Sequence, residues 1–266
     1  MKPQVRLLAP GEPAAWPEAL ARAAAFAGLD PWMSFVEGVY GYRAYRLAAE
    51  SAGTVKGMLA LAHVKHPLFG SYLATAPFAS YGGFAFSSGD ACAALLERAG
   101  LLAQEVGAQY VCVRSGAGES TPPPGWVQHP VYATYRADLD GQPDRLLAAY
   151  GPNHRNHIRK SLRKGFEVRF GRLELLDEAY RALARSMHEL GSPYHSRAYL
   201  RAMAAALGEA LELAVLYAPG GELAGAGVFI AQGEVVTNLH ANILRRFRSD
   251  HAGEFLYWSV IRRYAE

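Results

Sequence analysis

The stretch NHRNHIRKSLRKG, residues 153–165, brings Arg155, Arg159, Lys160, Arg163 and Lys164 together with His154 and His157. No carboxylate interrupts the chain between Asp144 and Glu167. With Arg169 and Arg172 the segment's positive excess, opposed only by Glu167, is larger than the +3 of the whole chain. Basicity is therefore a local feature, set in a slightly acidic remainder. On a helix turning by ~100° per residue, Ile158 and Leu162 share a narrow apolar stripe with Phe166 close by. Arg155, Arg159 and Arg163 form a row beside that stripe, and Lys160 and Lys164 fall further round, toward solvent. A planar guanidinium grips phosphate or carboxylate through two parallel hydrogen bonds, so the row suits an anionic ligand. A solubilising helix face is the alternative that the spacing leaves open.

Other signatures are missing, and their absence narrows the chemistry. The sequence holds no G-x-x-x-x-G-K-[ST] phosphate loop, no G-x-S-x-G nucleophile elbow and no H-E-x-x-H zinc motif. His63/His66 and His154/His157 are H-x-x-H pairs with no Cys or carboxylate beside them, so no metal is assigned. Cys92 and Cys112 lack C-x-x-C spacing, Cys112 reads as inert core, and a reducing compartment fits two such thiols. Tyr81-Gly82-Gly83 reads either as a point where a ligand approaches the backbone or as a bulge. One basic helix without an aromatic stacking platform is a poor nucleic-acid face, which argues against DNA.

The elements that must position these residues alternate between strand and helix. In the first half, VRLLA (5–9) reads as a strand, 13–27 and 31–40 as helices, and YRAYRLAAE with TVKGMLALAHV as a hairpin. SYLATA leads into PFASYGGFAF, a helix spans 88–107, and QYVCVR follows as a buried strand. The proline-rich loop 115–130 sustains neither helix nor ladder, and YATYRADL (132–139) alternates like a strand. The second half has helices at 142–150 and 153–164, the strand FEVRF, and helices at 177–190 and 196–207. A hairpin of LELAVLYA and ELAGAGVFIAQ, the strand EVVTNLHA and a helix from about Asp250 complete it. The expectation is an α/β (α+β) chain of two similar halves, 1–140 and 141–266. No N-terminal apolar signal region and no stretch of ~18 apolar residues occur, so a cytoplasmic bacterial protein without a spanning helix is expected.

NHRNHIRKSLRKGFEV, followed by SMHELGSPYHSRAYLRAM, resembles the FemAB/FemX-like family of N-acyltransferases, in which an Arg/Lys-rich helix ends at Lys-Gly and runs into a strand. HVKHPLFGSYLATAPFASYGG and NLHANILRRFRSDHAGEFLYWSVIRR match in the same order, so the resemblance spans nearly the whole chain. The likeness is greatest to the FemAB-like proteins associated with exosortase/PEP-CTERM and exopolysaccharide clusters. It implies two tandem GNAT-like domains, mixed sheets flanked by helices, and a substrate cleft. Chains of this family usually continue past YWSVIRR with a glycine and a further strand, so the second domain is expected to lack its last strands.

The implied activity is transfer of an acyl or aminoacyl group to an amine of a nucleotide-linked, lipid-linked or exopolysaccharide precursor. No tightly bound cofactor is implied, and the donor expected is aminoacyl-tRNA, which itself needs some positive surface. Acetyl-CoA is less favoured. GNAT proteins that use it hold its pyrophosphate with [QR]-x-x-G-x-[GA] opening a helix, where free N–H groups bind the anion. No glycine here completes that pattern; Gln104-Glu-Val-Gly107 comes nearest but closes a helix.

Attack of an amine on an activated ester needs a neutral nucleophile, a destination for the proton and a stabilised oxyanion. Asp250 and Glu254 are the nearest candidates for the base, and they read equally as helix-capping acids. By family position Arg197, Tyr199, His240 and Asn242 line the acceptor pocket, with helix surface or strand-end hydrogen bonding as the alternatives. Three functions stay open: the FemAB-like transferase, an acetyl-CoA-dependent N-acetyltransferase, and a non-catalytic binding module.

Overall fold

Long apolar runs at Leu59–Val64 and Leu213–Ala218 mark the strands that the fold covers on both faces. A computed structural model describes residues 3–68, 70–116, 122–129, 133–139 and 141–265. The chain divides into two compact units, Met1–Thr134 and Tyr135–Glu266. Among the described residues, no helix is long and apolar enough to cross a membrane.

The first unit holds β1 (Gln4–Leu7), α1 (Glu18–Ala24), α2 (Asp30–Tyr40), β2 (Arg43–Ser51), β3 (Thr54–His66), β4 (Gly70–Ala74), β5 (Phe84–Phe86), α3 (Gly89–Val106) and β6 (Tyr110–Cys112). Its sheet runs β1-β2-β3-β4-β6, with β5 also on β3; β4 and β6 are parallel and the other pairs antiparallel. Alternation along the strands divides the core. Leu47, Leu59, Leu61 and Leu73 pack under Leu95, Ala99 and Leu102 of α3. Ala48 and Met58, of opposite parity, meet Leu8 and Trp16. The Ser88 hydroxyl caps α3 by accepting from the Ala91 N–H, and Gly107 ends it in the left-handed region.

The second unit holds α4 (Pro143–Ala149), α5 (Pro152–Leu162), β7 (Glu167–Gly171), α6 (Leu176–Glu189), α7 (Arg197–Leu207), β8 (Leu211–Ala218), β9 (Glu222–Gln232), β10 (Val235–Ile243) and α8 (Ala252–Ala265). Its sheet is antiparallel in the order β10-β9-β8-β7, which leaves β10 at an edge. Ala214, Leu216, Ala224, Phe229 and Ile243 pack against Leu256 and Val260 of α8. On the sheet, α6 lies across β8, β9 and β10 and buries Ala179, Ala182 and Leu183.

Three expectations about elements are corrected. Residues 133–139 of the expected strand 132–139 pair with no strand among the described residues and are exposed except Leu139; alternation without a core to face builds no sheet. The first helix starts at Glu18 rather than residue 13, because Pro17 disfavours helical backbone at Trp16. The last helix starts at Ala252: Arg245–Asp250 wind as a 3-10 helix, and His251 breaks the run at φ 60°.

Candidate functional site

Helix α5 starts at the Gly151-Pro152 step, where proline suits the first turn. Ile158 is 1 % exposed, whereas Leu162 is 45 % exposed, and the side chain that shares the buried face is Ser161. The Ser161 hydroxyl donates to the Ile158 carbonyl at 2.8 Å, satisfying the one polar group this packing buries. The apolar stripe therefore turns one residue earlier than Ile158/Leu162 spacing suggests.

That turn divides the arginine row. Arg155 Nη1 donates to the carbonyls of Ala148 and Tyr150, both at 2.7 Å, so its guanidinium clamps α4 to α5. Orphan carbonyls at the end of α4 thus engage one of its two terminal nitrogens. Arg159 and Arg163 are exposed and make no ion pair among the described residues. Lys164, expected to face solvent alone, forms an ion pair with Asp250 at 2.7 Å. Asp250, a candidate base, is the acceptor of that ion pair.

An enclosed polar group without a partner among the described residues lies on β10. A register shift between Asn238 and His240 leaves Leu239 without a partner on β9. This bulge reverses the alternation, so His240 and Asn242 face α6 while Ala241 and Ile243 face the α8 core. His240 packs against Tyr194 and His195 of the α6–α7 loop, with ring centroids at 5.6 and 5.7 Å. His195 in turn stacks on Tyr199 at 3.9 Å. The His240 Nε2 is shielded from water and meets no hydrogen-bond partner among the described residues, and the same holds for the Tyr194 hydroxyl. Burial, reinforced by His195, pushes the His240 pKa down to about 4, so the imidazole is neutral at pH 7. Burial lowers His195 in the same direction and raises Tyr194.

Asn242, on the same face as His240, also lines a cavity of about 400 Å³ beside the β10 edge, with Leu190, Arg248, Gly253, Glu254 and Tyr257. Its size falls within the range of small-ligand sites. The Asn242 amide donates to the Met187 sulfur at 3.4 Å. The Ser186 hydroxyl donates to the Ile243 carbonyl at 3.1 Å and the Arg245 N–H to Glu189 Oε2 at 2.7 Å, tying α6 to the end of β10.

The N-terminus of α8 meets this cavity. Arg248-Ser-Asp-His251-Ala-Gly253 departs from [QR]-x-x-G-x-[GA] at one position, where histidine stands for the first glycine. His251 adopts the left-handed conformation that glycine favours. Its ring stacks on His157 at 4.2 Å, and Glu254 in the first turn lies 3.4 Å from the Nδ1 of each. A carboxylate here is favoured by the helix dipole and repels a diphosphate.

The remaining candidates are placed elsewhere. Arg197 forms a surface ion pair with Asp177 rather than lining a pocket. Tyr199 is 1 % exposed and supports the His195 ring from beneath. At Gly82 and Gly83, next to Tyr81, the backbone that approaches closely is the protein's own. A Cβ on Gly82 would lie 2.6 Å from the Ala24 carbonyl, and Gly28 faces Gly83 so closely that its Cβ would lie 2.5 Å from the Gly83 Cα. The loop before them is held by Arg114, which donates to the carbonyls of Thr75, Ala76 and Ala79. Tyr194, His195 and His251 were not singled out from the sequence. The bulge that aims His240 has no local signal there, although the left-handed position of His251 is visible in the near-match at 248–253.

The sequence model of the family described as Acetyltransferase (GNAT) domain matches residues 152–266. The comparison with curated proteins returns no match. Among solved structures, FemX superposes over 90% of this chain and 80% of its own at 14% identity, with a TM-score of 0.66. A tandem GNAT protein from the clavulanic acid biosynthesis pathway aligns over 85% and 72% at 14% identity and a TM-score of 0.45. The L-PGS of Bacillus licheniformis aligns over 87% and 67% at 9% identity and 0.47. The chain thus shares the fold of FemX, the GNAT domain model matches within its second unit, and the FemAB/FemX-like resemblance is supported at the level of fold.

Proposed function

We propose that this chain is a FemAB-like N-acyltransferase that moves an acyl or aminoacyl group onto an amine of an anionic cell-envelope or exopolysaccharide precursor in the bacterial cytoplasm. The observation that carries the reading is the cavity of about 400 Å³ lined by Asn242, with the neutral His240 imidazole two residues away on β10 and outside that lining. A group with a pKa of about 4 is a weak base at pH 7, so His240 acts as a hydrogen-bonding residue rather than as the terminal proton acceptor. Its Nε2 is enclosed by Tyr194 and His195, so those side chains must move before the atom accepts a hydrogen bond from the attacking amine. Arg159 and Arg163 bind the phosphates of the precursor. Aminoacyl-tRNA is the favoured donor, because no stretch of the sequence completes the pyrophosphate-binding pattern [QR]-x-x-G-x-[GA].

The near-match Arg248–Gly253 and the acetyltransferase domain match favour a second reading, an acetyl-CoA-dependent N-acetyltransferase. One assay separates the two. The chain is incubated with amine-bearing nucleotide- or lipid-linked precursors and either aminoacyl-tRNA or acetyl-CoA, and the mass of the precursor is followed. Transfer from aminoacyl-tRNA, reduced about 100-fold in His240→Gln, is the expected result. Transfer from acetyl-CoA alone selects the second reading, and no transfer from either donor leaves a binding module.

A further inference from the structure

We infer that His157, His251 and Glu254 form a binding site for one divalent transition-metal ion, with zinc the best fit. The three residues come from separate places in the second unit: His157 from α5, His251 from the turn before α8, and Glu254 from the first turn of α8. Each offers one ligand atom, and these atoms all lie within 4.8 Å of one another. Both imidazole Nδ1 atoms are 3.4 Å from the same Glu254 Oε1. That spacing is longer than the ~3.2 Å limit of a good N–H···O hydrogen bond. It equals the ~3.3–3.4 Å edge of a tetrahedron whose ligands stand ~2.0–2.1 Å from zinc.

The ring geometry points the same way. The imidazoles stack with centroids 4.2 Å apart and planes 18° apart, and both Nδ1 atoms approach the one carboxylate oxygen. Rotation about χ2, a soft torsion, brings each lone pair onto a shared ion. Two histidines and a glutamate are a ligand set for zinc that leaves a fourth position open. Calcium and magnesium, which require mostly oxygen ligands, are a poor fit. The side chains are 41 %, 23 % and 25 % exposed for His157, His251 and Glu254, so an ion reaches them from solvent. Because Glu254 also lines the cavity, the ion sits at its rim. Asp250, next to His251 in the chain, is paired with Lys164, and Arg248 lines the same cavity as Glu254.

The inference does not rest on the transferase reading, and its test measures binding alone. Tag-free, chelator-treated full-length protein is titrated with Zn²⁺ in a calorimeter at pH 7.5. One ion per chain at micromolar affinity or tighter is expected, weakening at acid pH because ligating imidazoles must be deprotonated. Cobalt(II) in its place gives the intense visible bands of a tetrahedral site. His251→Ala, Glu254→Gln and the more exposed His157→Ala each weaken binding by about 10-fold or more, with folding checked by circular dichroism, and His154→Ala leaves it unchanged. Absence of binding by the wild-type chain, a six-coordinate cobalt spectrum, or affinity that survives all three substitutions overturns the assignment.

Discussion

At the scale of the residue, His240 couples the site to pH. Its folded-state pKa of about 4 lies below the ordinary value of 6.5, so the unfolded chain takes up the proton first. Stability is therefore complete above about pH 6.5, falls as the pH drops toward 4, and then levels off. The loss is on the order of 3 kcal/mol. His195 and His63, both lowered by burial, add to the same acid limb, so the informative quantity is the difference between wild type and His240→Gln. Urea midpoints at pH 7, 5.5 and 4 should fall less steeply in the variant, and equal slopes would sink the assignment of a buried neutral imidazole. The type and position of this residue were legible in LHANILRR. Its enclosure was not, because Tyr194 and His195 reach it from the α6–α7 loop.

At the scale of the element, α5 separates structural from ligand-binding arginines. Arg155→Ala removes two charged hydrogen bonds to backbone carbonyls and is expected to cost about 1.5–3 kcal/mol. Arg159→Ala changes an exposed side chain and is expected to shift stability by less than about 0.5 kcal/mol while weakening binding of a phosphorylated precursor. Thermal unfolding and calorimetry on the two variants read these effects separately, and the opposite pattern would reverse the roles. The same helix tests its phase. Ser161→Leu overpacks a buried position and is expected to cost about 1–3 kcal/mol, whereas Leu162→Lys is expected to be tolerated. The helix itself was readable from its period and from Pro152. Which side of it is buried depends on packing against α8, and a single apolar pair on eleven residues does not specify that.

At the scale of the whole molecule, each unit carries its own core on its own sheet. The centres of those sheets, β3 in the first unit and β8 with β9 in the second, are nearly continuously buried. Native-state hydrogen exchange is expected to be slowest there and fast at 133–138, which are exposed and lie in no helix or strand. Leu61→Ala and Leu216→Ala each remove a fully buried leucine and are expected to cost about 2–5 kcal/mol in the unit they belong to. Protection concentrated instead in the terminal helices would contradict this division of the cores.

What the sequence determined by itself is what contiguous residues encode. The apolar strand runs of both hairpins, the serine caps of α3 and α7, the left-handed glycines that close α2 and α3, and the local basicity of α5 all follow from neighbours along the chain. The tertiary structure decided how distant residues meet. One unpaired residue in β10 fixes which face His240 occupies, because a strand's side chains alternate with a period of two and a single insertion reverses them. The His154/His157 pair, which lacks a local carboxylate, gains Glu254 only when α5 and α8 pack together and His251 turns left-handed before α8. Spacing along the chain cannot report such a meeting, because packing between helices sets the distance.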